Sequence, residues 1–454
     1  MGFSMILGRA GTVCSFMEQR IVQGAEIWRG GAWRREDILV ADGRILEVEE
    51  RLEAPPGAAV RDAAGLRILP GLVDCHVHFR DPGLAEKEGW PSGSAGALFG
   101  GATTVLEIQN NEPLTRDAKA LAARHNHVAG RSRCDYGLYP NLLADNLDEV
   151  AGMADGAIAF KCFMGCSTGG IGWPDDGPSL TEAFAAAADA GRPVVVHAED
   201  QELLALGAAA HGSGSASTHH LARPAEAELR AVDAAIEAAL AAGARLHIFH
   251  VATGGGADLI RQARATGAAV GASTAPHYLL LSCEDAERLG NFLKVNPAIQ
   301  APADREALLA AVADGTVESV GTDHAPHPLA EKQRDYADAP SGMPGADLLW
   351  PLMAHLVERG DLEEAVAIGS VTSAPADEFR LAAKGAIEPG RDADLLFVSP
   401  AERFTVAAAD LPSKTEWSCW DGLDLPAQPV EVWLRGESVS PGGEARGLPV
   451  QAGR

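Results

Sequence analysis

Two histidines one residue apart, His76 and His78, close the run Asp74-Cys75-His76-Val77-His78. In an extended strand residues i and i+2 face the same side, so both imidazoles can grip one cation together. Other apolar runs end in the same chemical types: His197 after Val194-Val195-Val196, His250 after Ile248-Phe249, and Asp323 after Gly321-Thr322. Four imidazoles and a carboxylate form a donor set suited to Zn2+. Lys161 interrupts another apolar run, Ile158-Ala159-Phe160-Lys161-Cys162-Phe163. A pair of ions needs a bridging anion, which an ammonium cannot supply. Carboxylation of Lys161 by carbon dioxide would turn it into a carbamate with two bridging oxygens. Each residue alone has a plainer role: a lysine near a strand end snorkels to solvent, a buried histidine is often structural, and Asp323 could cap a turn. The agreement of five run ends in type and order favours the metal centre.

The elements that must position these groups are legible in the spacing. Eight short apolar runs stand at 71–79, 102–108, 135–140, 157–163, 193–197, 245–251, 268–275 and 317–322. Between several of them lie Ala-rich, Glu-bearing stretches with helical spacing, at 180–190, 226–242 and 304–313. Strand-helix alternation predicts parallel pairing through crossover helices, and eight units predict an α/β fold closed as a (β/α)8 TIM-type barrel. The rival, an open doubly wound sheet, would carry a Gly-rich phosphate turn after its first strand. Here that strand ends in His-x-His instead. His76, His78, Lys161, His197, His250 and Asp323 all fall toward the C-terminal ends of strands, the face on which barrel enzymes build their sites.

Both ends of the chain read differently. From about residue 20 to 70, short strand-like runs are broken at Gly30-Gly31 and Asp42-Gly43, and 393–398 and 430–434 repeat the style before a turn at Arg435-Gly436. They predict one small β-sandwich built from residues 1–70 and 375–454 around a barrel of 71–374.

Composition narrows the partners. Among 454 residues, Lys plus Arg number 37 and Asp plus Glu 63, a net charge of −26 that disfavours nucleic acid. A small anionic substrate remains compatible if the pocket carries local positive charge. No run of 18 apolar residues exists, so no membrane span is expected. The start, Met1 to Phe16, is mildly apolar, broken by Arg9, and lacks a clean cleavage site. The 7 cysteines form no Cys-x-x-Cys pair. Reduced cytoplasm is the expected location.

The run Pro70-Gly71-Leu72-Val73-Asp74-Cys75-His76-Val77-His78-Phe79-Arg80-Asp81-Pro82-Gly83 resembles the first signature of the dihydroorotases, in the amidohydrolase superfamily. Similar matches are Phe160-Lys161-Cys162-Phe163-Met164-Gly165-Cys166-Ser167-Thr168-Gly169, Val196-His197-Ala198-Glu199, His250-Val251-Ala252-Thr253, Lys294-Val295-Asn296-Pro297 and Gly321-Thr322-Asp323-His324-Ala325-Pro326-His327. The resemblance runs across nearly the whole chain. It implies a hydrolase of cyclic amides with two Zn2+ per subunit: His76, His78 and Asp323 on one ion, His197 and His250 on the other, carboxylated Lys161 and a hydroxide between them. The hydroxide would be the nucleophile and Asp323 the general acid and base. The same steps reversed would close N-carbamoyl-L-aspartate into dihydroorotate in pyrimidine biosynthesis. Arg80, Asn110, Asn296 and His327 would bind the substrate, Arg80 through a two-pronged contact to its carboxylate.

The segment Gln109-Asn110-Asn111 departs from the family's usual Pro-Asn-Thr, which bears on the pocket floor. Residues 1–18 run longer than the family's usual start. Allantoinases resemble this chain but commonly have Asn where Arg80 stands, and hydantoinases lack the Phe-Arg-Asp-Pro-Gly run. A dihydroorotase-like scaffold subunit of aspartate transcarbamoylase is a further alternative, although such proteins typically lose metal ligands and this chain has all six. The expected assembly is a homodimer by default, with association with aspartate transcarbamoylase open. The other histidines, His125, His127, His211, His219, His220 and His355, are expected on the surface or in loops, and His277 behind the site.

Overall fold

A computed structural model describes residues 19–167, 170–174, 176–211 and 214–453. Residues 1–18 and the Thr168-Gly169 end of the lysine motif lie outside the described residues. Eight strands form the barrel: β1 (Leu72–Val77), β2 (Ala102–Ile108), β3 (Asp135–Tyr139), β4 (Phe160–Phe163), β5 (Val194–His197), β6 (Leu246–Ile248), β7 (Val270–Thr274) and β8 (Ser319–Val320). Neighbours pair in parallel from β1 to β3 and from β4 to β8. Parallel bridges Asn141↔Lys161 and Val77↔His324 close the ring. The strands are buried on both faces because helices such as Leu180–Asp189, Ala225–Ala242 and Pro302–Ala313 cover the outside. Val73, Cys75, Tyr139, Val195, Phe249 and Phe379 fill the inside.

The register of β1 against β2 shifts between Asp74 and Val77. This bulge lets Cys75 stay in the interior core while His76 also turns inward, its ring 4.2 Å from that of Phe249. One extra residue thus re-aims both histidines at the mouth of the barrel.

The sandwich consists of two sheets. One joins Arg44–Glu49, Asp37–Ala41, Gln19–Gln23 and Ala59–Asp62; the other joins Glu437–Val439, Pro429–Leu434, Leu395–Val398, Arg67–Pro70, Glu26–Arg29 and Ala32–Arg35. Leu396 opposite Leu69 marks where the C-terminal part pairs with the N-terminal part. Ile27, Ile38, Ile45, Phe397 and Trp433 form the core between the sheets. The Asp42-Gly43 turn joins Ala41 directly to its partner Arg44, with φ of 52° and 76°, as a two-residue hairpin requires. No helix among the described residues is long and apolar enough to cross a membrane.

Candidate functional site

The first donor group is assembled from opposite sides of the barrel seam. His76 Nε2 and His78 Nε2 are 3.1 Å apart, and each lies 3.3 Å from Asp323 Oδ1. Donors about 2.0–2.1 Å from one tetrahedral ion stand roughly 3.3 Å apart, so these three atoms already surround a common point. His78 Nδ1 donates to the carbonyl of Ile108 at 3.0 Å, which leaves the Nε2 lone pair facing that point. Asp74 locks β1 to β8: its carboxylate accepts from Thr322 N at 2.9 Å and Thr322 Oγ1 at 2.6 Å. Burial pushes the Asp74 carboxyl up to about 6 against those hydrogen bonds.

The second group is on β5 and just past β6. His197 Nδ1 stands 3.0 Å from His250 Nε2, while His197 Nε2 donates to Glu199 Oε2 at 2.8 Å. Arg223 grips the same carboxylate through Nε at 3.0 Å and through Nη2. Burial would raise the Glu199 carboxyl, yet Arg223 and His197 hold it down at about 2. An anchored carboxylate fixes the imidazole's tautomer and leaves Nδ1 as the free donor.

Lys161 lies beside both groups on β4. It does not snorkel: the residue is 1% exposed, its Nζ has no hydrogen-bond partner among the described residues, and the rings of Phe163 and Phe249 stand 4.7 Å away. Burial brings its amine down to about 7, with Asp323 opposing the shift. A buried, unpartnered amine of this kind is costly unless it is modified or coordinated. Asp323, His250 and Arg80 all adopt positive φ, 48°, 40° and 63°. Non-Gly residues hold that region at a cost of roughly 1–3 kcal/mol each, and such strain concentrates at functional sites.

A narrow cavity of about 20 Å3 brings together both donor groups, Lys161, Arg80, Asn110 and Asn296, with Ser167, Ser341 and Gly342 at its wall. Arg80 is buried, with Nη1 donating to Asn110 Oδ1 and with Nε and Nη2 unpartnered. It makes no surface pair with Asp81, whose carboxylate instead meets His127 at 2.6 Å. Gln109 and Asn111 do not line the cavity. Their side-chain amides donate to the carbonyl of Pro82 at 2.9 and 3.1 Å, so the departure from the family pattern alters the support of the Arg80 loop. His327 sits behind the Ser341-Gly342 wall, its Nε2 3.1 Å from the Ser341 carbonyl.

One expectation is corrected. His219 is not a surface residue: it is buried, with Nδ1 2.8 Å from Tyr336 Oη and Nε2 2.9 Å from the Val295 carbonyl and 3.1 Å from Asn296 Oδ1. The polar run Ser215–His220 gave no hint of this, because the loop carrying Asn296 folds over it only in three dimensions. His324, which follows Asp323, is fully buried, accepting at Nδ1 from the Gly345 amide at 3.1 Å with Nε2 3.4 Å from Glu88. The sequence signals Glu199 only by its spacing two residues past His197, which lets one touch the other, and carries no local signal for Arg223.

The model of the amidohydrolase family matches residues 67–439. The chain belongs to the amidohydrolase family. It is 38% identical over 414 residues to a dihydroorotase of Halobacterium salinarum, covering 89% of this chain and 95% of the relative. It is also 34% identical over 426 residues to an allantoinase of Bacillus velezensis, covering 92% and 93%. Among solved structures, an L-hydantoinase (dihydropyrimidinase) from Arthrobacter aurescens superposes with a TM-score of 0.90 at 28% identity, over 96% of this chain and all of that one. These relatives put the enzyme among the cyclic amidohydrolases, and the barrel with a sandwich from both chain ends is this family's architecture. In this amidohydrolase the two donor groups, spaced for one ion each, and the orphaned lysine between them fit a pair of divalent cations.

Proposed function

We propose that this amidohydrolase is a dihydroorotase, interconverting N-carbamoyl-L-aspartate and dihydroorotate. The observation that carries the reading is Arg80. Its guanidinium is buried in the cavity beside the metal-type residues, with two N–H-bearing nitrogens left without partners. An unsatisfied buried guanidinium is costly, and a planar carboxylate is the group whose geometry answers its fork. Dihydroorotate and its open form both carry a carboxylate; allantoin and hydantoin carry none on the ring, so either would leave the fork unanswered. Burial draws Arg80 down only to about 10, so it stays charged at neutral pH and supplies local positive charge in a protein of net charge −26.

His76, His78 and Asp323 would hold one Zn2+, His197 and His250 the other, with Lys161 shared. When bound, such ions supply an acidified water and polarise a carbonyl. A lysine amine near pKa 7 has a neutral fraction at physiological pH, the form that adds to carbon dioxide with loss of a proton to give a carbamate. Arg80 binds the substrate carboxylate, with Asn110 fixing the guanidinium plane. Asn296 orients the ring from the opposite wall, His219 holding its amide. Asp323, facing the cavity from the β8 end, takes a proton from the attacking water and returns it to the departing amide nitrogen. The test is turnover of dihydroorotate, allantoin and hydantoin side by side on zinc-loaded protein. Preference for allantoin or hydantoin over dihydroorotate would refute the assignment.

A further inference from the structure

At the opposite, N-terminal mouth of the barrel, His247 on β6, Glu318 before β8 and Glu378 on the helix Ser373–Glu378 each direct one donor atom to a shared space, all within 4.8 Å of one another. His247 is fully buried, and its Nδ1 has no hydrogen-bond partner. That atom stands 3.7 Å from Glu378 Oε1, and Nε2 is occupied by Ser273 Oγ at 3.1 Å. The space between the donors exists because position 271 on β7 is glycine. A Cβ there would lie 2.7 Å from His247 Nδ1, 2.8 Å from Glu378 Cδ and 2.9 Å from Glu318 Oε1. The missing side chain leaves a void in which one atom would reach all three.

A second acidic cluster shows what a filled one looks like. Asp135, Asp392 and Asp394 converge on Lys384, whose Nζ lies 2.6, 2.9 and 2.7 Å from their oxygens. Around His247 no lysine or arginine of the described residues reaches the centre as Lys384 does. Arg264 binds the outer oxygen of Glu318, and the inner one accepts only the Ala272 amide at 3.1 Å. Arg245 stands 3.5 Å from Glu378 Oε1 and spends its hydrogen bond on that residue's main-chain carbonyl at 2.6 Å. Arg264 holds Glu318 from outside and leaves its Oε1 toward the centre, while Glu378 Oε1 faces both Arg245 and His247 Nδ1. A cleft lined by Arg245, Arg264, Gly271, Glu318 and Glu378 opens the place to solvent.

We propose that His247, Glu318 and Glu378 form a further divalent-cation site of Zn2+ type, completed by a water from the cleft. One imidazole, two carboxylates and a water make a four-coordinate zinc environment. An ion there would staple β6 and β8 to the helix that plugs the barrel floor, a structural role away from the catalytic mouth.

Full-length protein is stripped with chelator, reloaded with Zn2+, freed of excess by gel filtration and assayed for zinc per chain beside Glu378→Gln and Gly271→Ala. Glu378 is at the rim, so its substitution leaves the core packing in place, and Gly271→Ala fills the void without removing a ligand. The expected result is about three zinc ions per wild-type chain and one fewer in each variant, with turnover unchanged. About two ions in wild type and in Glu378→Gln alike would overturn this site and leave the catalytic pair standing. Three ions that persist in Glu378→Gln would also overturn it. A single ion, lost in Glu378→Gln, would support this site and remove the catalytic pair.

Discussion

Replacing Arg80 by Met tests substrate selection at its source. The guanidinium is 2% exposed, its Nη1 is committed to Asn110, and Nε and Nη2 are unpartnered. A carboxylate entering the cavity therefore meets two donors that have no competing bond to break. Truncating one partner of a buried charged contact costs about 2–5 kcal/mol, which is roughly 30-fold to several-thousand-fold in kcat/KM. Met retains the length and the apolar stem, so loss of packing is small. Arg80→Lys keeps the charge but not the planar fork, and should recover only part of the loss. The assay is kcat/KM of wild type, Arg80→Met and Arg80→Lys on dihydroorotate and on dihydrouracil, which lacks the carboxylate. The loss should be confined to dihydroorotate. Equal losses on both substrates would show that Arg80 supports the metal region or the positive-φ turn at 63° and would refute its role in selection.

Glu199→Gln should weaken zinc binding at the His197–His250 pair by about 10- to 100-fold, because a neutral amide no longer anchors the imidazole tautomer; competition with a fluorescent chelator reads it, and an unchanged affinity would remove Glu199 from the site. His219 carries a pH prediction. Burial lowers its pKa from 6.5 to about 4, so the folded state favours the neutral ring. The stability this represents is complete above pH 6.5 and is lost as pH falls toward 4, on the order of 3 kcal/mol. His219→Gln should flatten the decline of unfolding free energy across that window, and an identical pH profile would count against it. In the sandwich, Trp433→Ala should cost about 3–5 kcal/mol, since the ring is 3% exposed and packs 5.4 Å from Phe397. Chemical denaturation measures it, and a shift below about 1 kcal/mol would mean the sandwich core closes without Trp433.

The amino-acid sequence by itself determined the repeating frame and the identity of the chemistry. Alternating apolar runs and helical stretches fix a parallel barrel, because each run must be buried on both faces and each crossover must return the chain to the same edge. Histidine and aspartate at run ends fix the donor types, and the Asp42-Gly43 turn fixes its hairpin, because both effects are local. What only the tertiary structure decided depends on residues far apart in the chain. The bulge at Asp74 to Val77 comes from pairing with β2 and turns His76 inward beside Cys75. The Glu199–Arg223 clamp needs the bend at Arg223, 24 residues onward, to fold back beside β5. His219 became buried because the loop carrying Asn296 packs over it, 77 residues away. The unpartnered Nζ of Lys161 and the unpartnered Nε and Nη2 of Arg80 were equally invisible, since a charged side chain in a strand or turn reads the same whether it reaches water or not. Local rules specify which groups a chain carries and how it winds; burial and mutual distance, which set charge state and reactivity, arise only when the ring closes.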